Sequence, residues 1–507
     1  MSVLKYKKKF GFLSSLVNRY KTDNKFAVIV TFIFLILISV SGIIKEFKYF
    51  IFLYFLVATF LSIRFKSLFI GFFLITLLTF QLLSPAKSYQ IQIFRSGELE
   101  NIDYRNGLMA NYGVNLPNIF IFLSVLFMVV ERFKRGGLFE MNKLKVAIFF
   151  PSLLFMIWGI GVCLTMSYIP AASLIWAMQT TEVFWVAFLL YYFFKFYPKY
   201  SECFYSILLF SVVLQFVISI LQFVKGGGLG MPIENYYGGW FSRSSEETDV
   251  YFRVMGTFSH PNYFALAVAT LIIIIFVRFI KHPSRSQLLI LILGSLTLVL
   301  SQSRSIWIGF VMAVSLLYFI YKQQILLIFR KFYKKRYLVL FGLIFSFSSV
   351  VFIPRLLLSF NSTYVGAAIP GRIEMIKEGL DVLSVNPLLG YGVGTNAYIL
   401  YQTKPSGMMA GFPYGVHMAA LQFAIEYGIV GLVLFCAPFF YILRELVNQR
   451  IRSKGANAIH QDYFVIYTIL LLVYFIFFTL QPFDINISPY LGICLGFGII
   501  SLYVADQ

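Results

Sequence analysis

YFALAVATLIIIIFVRFI, residues 263–280, decides the fold. Its one charge, Arg278, comes in the last turn. A helix of about 18 apolar residues matches the hydrocarbon thickness of a bilayer. In lipid every backbone N–H and C=O must be paired within protein, so a spanning segment is a helix or a strand of a closed barrel. The run lacks the two-residue alternation of a barrel strand, so it is a helix. Two contrasting segments flank it. RVMGTFSHPN precedes it at 253–262, and KHPSR follows at 281–285.

Working outward, similar runs recur at 26–44, 49–63, 67–84, 116–130, 146–166, 173–194, 203–224, 288–302, 305–321, 337–353, 418–442, 463–480 and 488–504. With 263–280 they make fourteen, several of them short. The whole chain of 507 residues is 59% hydrophobic and 12% charged, with mean hydropathy +0.81. Soluble domains run near 45–50% apolar and about 25% charged. The expected fold is therefore all-α: a polytopic integral membrane protein with about 12–14 transmembrane helices. The first run starts at Phe26 behind a basic segment and has no small-residue cleavage site, so it reads as a retained span.

The formal charge of +21 points to nucleic acid only in a soluble protein. Here it tests orientation. With the N-terminus inside, the cytoplasmic segments hold 29 of the 42 lysines and arginines, including KYKKK at 5–9 and RKFYKKR at 330–336. That is the positive-inside bias, and the tracts need meet nothing beyond anionic lipid. An even span count returns the C-terminus to the cytoplasm. Three long connections, 85–115, 225–262 and 354–417, then lie outside, where long loops are often functional. The expected divisions are a basic N-terminus (1–25), an N-terminal bundle (26–224), a core carrying the outer loops 225–262 and 354–417 (225–442), and a final loop with two spans (443–507). Cys163, Cys203, Cys436 and Cys494 sit in or beside apolar runs without a CxxC, and read as packing.

The outer loops hold the unusual residues. In RVMGTFSHPN, Pro261 suits the first turn of a helix, and His260 or Ser259 can cap it. Capping does not account for Arg253, which is either a solvated surface arginine or an anion ligand beside a helix N-terminus. In the 354–417 loop, Pro370–Gly371 start a segment and Asn386–Pro387 end it. Ile373, Ile376, Leu380 and Leu383 repeat between them, predicting a short amphipathic helix on the membrane surface or under a lid. Arg372 falls in its first turn, against the helix dipole. It is either a solvated residue or one held there to share an anion. GYGVGTN at 390–396 lacks a Walker lysine and a preceding strand, so it reads as a close-approach loop.

His417 opens the next span, and Glu426 lies nine residues further in. Glu426, like Glu182, either bonds a neighbouring helix or serves function. SQSRS at 301–305 puts Arg304 at a tight outer corner, where it anchors a helix end or joins the site. No HExxH, GxSxG or paired-histidine metal spacing occurs, and Glu98-x-Glu100 is a weak acidic pair. The outer face thus offers arginines and histidines with few positioned acids. That set suits binding a pyrophosphate and removing a proton, with no metal or cofactor expected.

Taken together, RVMGTFSHPN (253–262), SQSRS (301–305), GRIEMIKEG with PLLGYGVG (371–394) and HMAALQFAIEYGIVGL (417–432) resemble the O-antigen ligase and O-antigen polymerase superfamily of bacterial membrane glycosyltransferases, in order and spacing over roughly residues 200–440. The resemblance implies an enzyme of the bacterial inner membrane. It implies transfer of a glycan from an undecaprenyl-pyrophosphate carrier to an acceptor hydroxyl on the extracytoplasmic face. By motif, Arg253 and Arg372 would bind the pyrophosphate and His417 would act at the acceptor. His260, Asn262, Arg304, Gly392 and Gly394 would line the substrate site. The implied partners are the lipid-linked glycan donor, a glycan or lipid acceptor, membrane lipids, and a flippase and chain-length regulator, with no nucleic acid. A polymerase, extending a capsule or surface polysaccharide, is the slightly favoured reading. A ligase would use lipid A core, a protein or a wall polymer as acceptor. A polysaccharide flippase or other transporter is the rival from another class. It should carry charged, broken helices near the midplane, where this chain is sparse in charge.

Overall fold

The computed structural model describes residues 23–40, 47–80, 87–92, 109–114, 116–135, 143–230, 253–258, 260–332, 369–404, 416–452 and 458–505. The expected span at 337–353, the tract at 5–9, Ser259, Glu98, Glu100 and much of the loops 225–262 and 354–417 lie outside these residues.

Thirteen of the fourteen expected spans fall on apolar helices. They are α1 (Asn24–Val40), α2 (Phe47–Phe65), α3 (Leu68–Thr79), α4 (Leu116–Lys134), α5 (Lys143–Thr165), α6 (Pro170–Phe196), α7 (Ser201–Lys225), α8 (Pro261–Lys281), α9 (Arg285–Ser301), α10 (Arg304–Ile320), α14 (Ala419–Arg452), α15 (Ala458–Leu480) and α16 (Ser488–Ala505). Among the described residues seven, α4 to α8 with α14 and α15, are long and apolar enough to cross a membrane on their own. The molecule is a multi-pass, helical membrane protein. Its one departure from all-helical structure, among the described residues, is a two-stranded antiparallel ribbon of β1 (Lys87–Gln92) and β2 (Met109–Val114) between α3 and α4.

Among the seven long spans the most enclosed is α8, surrounded by α7, α9, α10 and α15. Helices in lipid gain little from hydrophobic burial against each other and associate by close packing at small residues. The α6–α16 pair shows this. A Cβ on Gly492 would lie 2.7 Å from Val183 O, and one on Gly496 would meet Leu190 at 2.9 Å. Cys163, Cys203 and Cys494 are buried and Cys436 half-buried, all as free thiols. Glu182 is buried and bonded to Asn118 of α4, so its role is the helix-to-helix bond.

The polar contacts gather at two opposite ends. At one, Lys25 and Arg278 share Glu202, Lys281 pairs with Asp462 at 3.1 Å, and Tyr321 donates to Asp462 at 2.8 Å. Ser67 donates to Glu131 at 2.6 Å there, and Arg135 to the Tyr197 hydroxyl at 2.7 Å. These residues come from segments expected on the cytoplasmic side. At this end α10 turns by 94° into α11 (Lys322–Phe332), whose Leu326, Leu327 and Phe329 are exposed beside Arg330 and Lys331. Such a basic, one-sided helix suits a membrane surface. At the other end lie His260 and α12 (Ile369–Val385), the expected amphipathic helix, with the short α13 (Asn396–Thr403) after it.

The face that α12 buries differs from the expected stripe. Gly371, Met375, Glu378, Gly379 and Val382 are its buried positions, and Ile376 and Leu383 flank the last four, partly buried. Ile373 and Leu380 are about half exposed, at 49% and 51%. The helix therefore has two apolar sides, one against protein and one outward.

The α12 packing is set by an interruption in α14. Gly428, at φ 72° and ψ 171°, breaks that helix. Its Ile429 N–H donates to Pro387 O at 2.8 Å, while Ile425 O and Glu426 O accept from Tyr391 and Gly392 N–H, each at 2.9 Å. The segment after α12 thus takes the place of a helical turn. A side chain on Gly428 would put Cβ 1.9 Å from Leu388 O. We expect Gly428→Ala to lower stability by about 2 kcal/mol or more, from left-handed strain and the clash together. Gly161→Ala, with open space around its Cβ, should change it by less than about 1 kcal/mol. Thermal unfolding in detergent checks both, and equal melting temperatures would contradict the interlock.

The two ends also make a topological prediction. In a cysteine-free background, Ser384→Cys should react with an impermeant thiol reagent on right-side-out spheroplasts. Gln323→Cys should react only after the membrane is breached. The reverse pattern would invert the orientation.

Candidate active site

Two glutamines on α7 build the first wall. Gln222 Oε1 accepts from Met255 and Gly256 N–H at 3.2 and 2.9 Å, and its Nε2 donates to Gly256 O at 2.9 Å. Gln215 accepts from Thr257 N–H at 3.2 Å and donates to its hydroxyl at 2.7 Å. They clamp the turn that Gly256 makes at φ 55°. α8 then starts with His260 as its cap, Nδ1 accepting the Asn262 N–H at 3.0 Å, and Pro261 in the first turn.

The clamp directs Arg253 toward the end of α9. The last carbonyls of a helix have no partner within it, and the dipole there favours a cation. Arg253 Nε donates to one of them, Ser301 O, at 3.1 Å, and Nη2 donates to Asn262 Oδ1 at 2.7 Å. Arg372 repeats the device. Its Nη1 donates to Leu480 O, the end of α15, at 3.1 Å. The unfavourable place of Arg372 in its own helix is thus offset by the C-terminus of another. Its Nε is buried with no protein partner.

The cations are near enough to feel one another. Burial, then Arg304, lowers the Arg372 pKa. Burial, then Arg253 and His417, holds His260 near 3, so its imidazole is neutral and fit to cap. His417, just before α14, is pulled to about 4 by burial first and by Arg372 second. Its Nδ1 is buried and accepts no hydrogen bond from the protein. Arg253, His260, Asn262, Arg304, Arg372 and His417 therefore gather at one end of the bundle. The arrangement offers a polyanion two braced guanidiniums and a neutral imidazole in a poorly hydrated setting.

Glu426 lies below. It is buried and accepts from Asn396 and from Gln422 Nε2, the latter at 3.3 Å. Gly392 and Gly394 make a close approach, as the glycine content of their loop leads one to expect. Their positive φ of 98° and 73° lets the loop press on Ser167 and Trp176.

Sequence reasoning passed over Gln215, Gln222, Gln422, Asn396 and Gln481. Gln481 accepts from Asn262 Nδ2 at 2.9 Å, and Gln422 accepts from Phe483 N–H at 2.8 Å. A signal existed for the first pair. Two glutamines seven residues apart on an apolar helix share a face, and such residues in lipid seek partners on other segments. No metal-holding group of histidine, cysteine or carboxylates occurs among the described residues.

Residues 289–436 match the family model described as O-antigen ligase. None of the curated proteins matches the chain. The matched segment holds Arg304, Arg372, His417 and Glu426, while Arg253, His260, Asn262 and Gln481 reach the same site from outside it. The match supports glycosyl transfer at a membrane, in the making of surface polysaccharide. Over residues 289–436, then, this chain is similar to the O-antigen ligase family.

Proposed function

We propose that the protein transfers a glycan from an undecaprenyl-pyrophosphate carrier to an acceptor hydroxyl, on the extracytoplasmic face of the bacterial inner membrane. The acceptor in this reading is another lipid-linked repeat unit, which makes the protein a polymerase of surface polysaccharide. The bond from sugar C1 to the carrier phosphate oxygen breaks as the acceptor oxygen bonds to C1. Negative charge gathers on the leaving pyrophosphate, where Arg253 and Arg372 stabilise it. His417 takes the acceptor's proton.

The observation that carries this reading is the state of His417. A base must be neutral, and burial with Arg372 nearby keeps this imidazole neutral above about pH 4. Its unpartnered Nδ1 is an open acceptor for a proton. The fall in pKa moves the expected pH limb below the ordinary histidine range near 6.5. For wild type, kcat/KM should rise with pH through about 4 and be flat at neutrality, because kcat/KM reports the free enzyme. Bound pyrophosphate favours the imidazolium, so the limb in kcat should sit higher. His417→Gln should lose about 10²–10⁴-fold in kcat. Transfer from a purified lipid-linked glycan between about pH 4 and 8 tests this. A rate that falls with pH over that range would make His417 a charged phosphate ligand instead.

The arginines carry a separate expectation. A lysine ammonium is a point charge and cannot grip a helix carbonyl and an anion as a planar fork. Arg253→Lys and Arg372→Lys should each lower kcat/KM by at least about tenfold, with the protein still inserted. Arg304→Lys should cost less. Full activity in both of the first two variants would leave them as helix caps alone.

A further inference from the structure

The corner Leu480–Phe483 touches three of the elements that build the site. Leu480 O takes Arg372 Nη1 at 3.1 Å. Gln481 Oε1 takes Asn262 Nδ2 at 2.9 Å, and Asn262 Oδ1 takes Arg253 Nη2 at 2.7 Å. Phe483 N–H donates to Gln422 Oε1 at 2.8 Å, on the helix that begins beside His417. Gln481 and Asn262 are both buried, at 5% and 9% exposure. The corner lies beyond the segment that matches O-antigen ligases.

We propose that this corner positions the two arginines relative to each other, with Gln481 as the positioning residue that orients Arg253 through Asn262. The inference rests on the reading of Arg253 and Arg372 as ligands of the carrier pyrophosphate. The chemistry is in the polarity of the Asn262 amide. One end donates and the other accepts, and its neighbours decide which faces where. Gln481 presents an acceptor, so Asn262 turns its NH₂ toward Gln481 and its oxygen toward Arg253. Without that acceptor, the buried NH₂ loses its partner, and the amide gains by turning toward any other acceptor or water. An Asn262 turned in that way takes its Oδ1 out of line with the Arg253 guanidinium. Arg253 would keep its carbonyl and lose the second brace. Arg372 is held by the same corner through Leu480 O, so the spacing between the guanidiniums depends on one tetrapeptide.

The test uses full-length protein in detergent and inorganic pyrophosphate as the probe, titrated calorimetrically. Gln481→Leu removes the acceptor and should weaken binding about tenfold, the scale of a hydrogen bond to a charged group. Gln481→Glu keeps an acceptor and should stay within about threefold of wild type. Gln481→Asn falls one methylene short of Asn262 and should resemble the leucine variant, which keeps the test open if leucine does not fold. A role in mere stability is separated by a double-mutant cycle. In an Arg253→Ala background, Gln481→Leu or Gln481→Asn should weaken binding no further. Failure of wild type to bind pyrophosphate would remove the anion-site reading itself. Tight binding by wild type with undiminished binding in the leucine and asparagine variants, or losses that add to that of Arg253→Ala, would overturn the positioning role.

Discussion

The site depends on one exchange of backbone hydrogen bonds. In an unbroken α14, Ile429 N–H would bond to Ile425 O. At Gly428 both groups are released, and the segment after α12 satisfies them through Pro387 O and Tyr391 N–H, with Gly392 N–H on Glu426 O. Inside a bilayer such groups cannot wait for water. The break and the loop therefore exist only together. Through this exchange α12, which carries Arg372, is fixed to α14, which begins beside His417. Asn396 and Gln422 add side-chain bonds to Glu426 and make the joint rigid.

The arginines follow a second economy of unmet groups. Each lies over the carbonyl end of a span, Arg253 at Ser301 and Arg372 at Leu480. A helix end spreads roughly half a negative charge over its last carbonyls. That is enough to hold a guanidinium in place and too little to neutralise it. Arg253 also holds the Asn262 amide oxygen. The neutral His260 and His417 do not add to the repulsion between the arginines.

Much of this was legible in sequence because it is local. Apolar length gave the spans, the basic residues gave two ends, His260 and Pro261 gave the start of α8, and the glycines of GYGVGTN gave a close approach. What the sequence hid is relational. Gln481 and Asn262 are 219 residues apart, and nothing around Gln481 marks it as a partner. Gly428 sits in an apolar run where a glycine is ordinary in a membrane helix, and only its φ shows the break. The stripe on α12 misled because lipid and protein both accept apolar side chains. Ile373 and Leu380 fit the pattern, yet burial went to Gly371, Met375, Glu378, Gly379 and Val382.

The pairing of α6 with α16 bears on how the chain is assembled in time. The helix α6 ends at Phe196 and its partner begins only at Ser488. At about 5–20 residues per second of synthesis, α6 rests in the bilayer for some tens of seconds before the Gly492 and Gly496 face reaches it. Its acid cannot wait so long in hydrocarbon, and it does not have to. Asn118, which bonds Glu182, is made earlier and is already in place when α6 inserts. The polar contact is local and early, and the apolar one is distant and late. Biogenesis thus holds its most expensive group satisfied throughout, and leaves for last a surface that lipid can cover in the meantime.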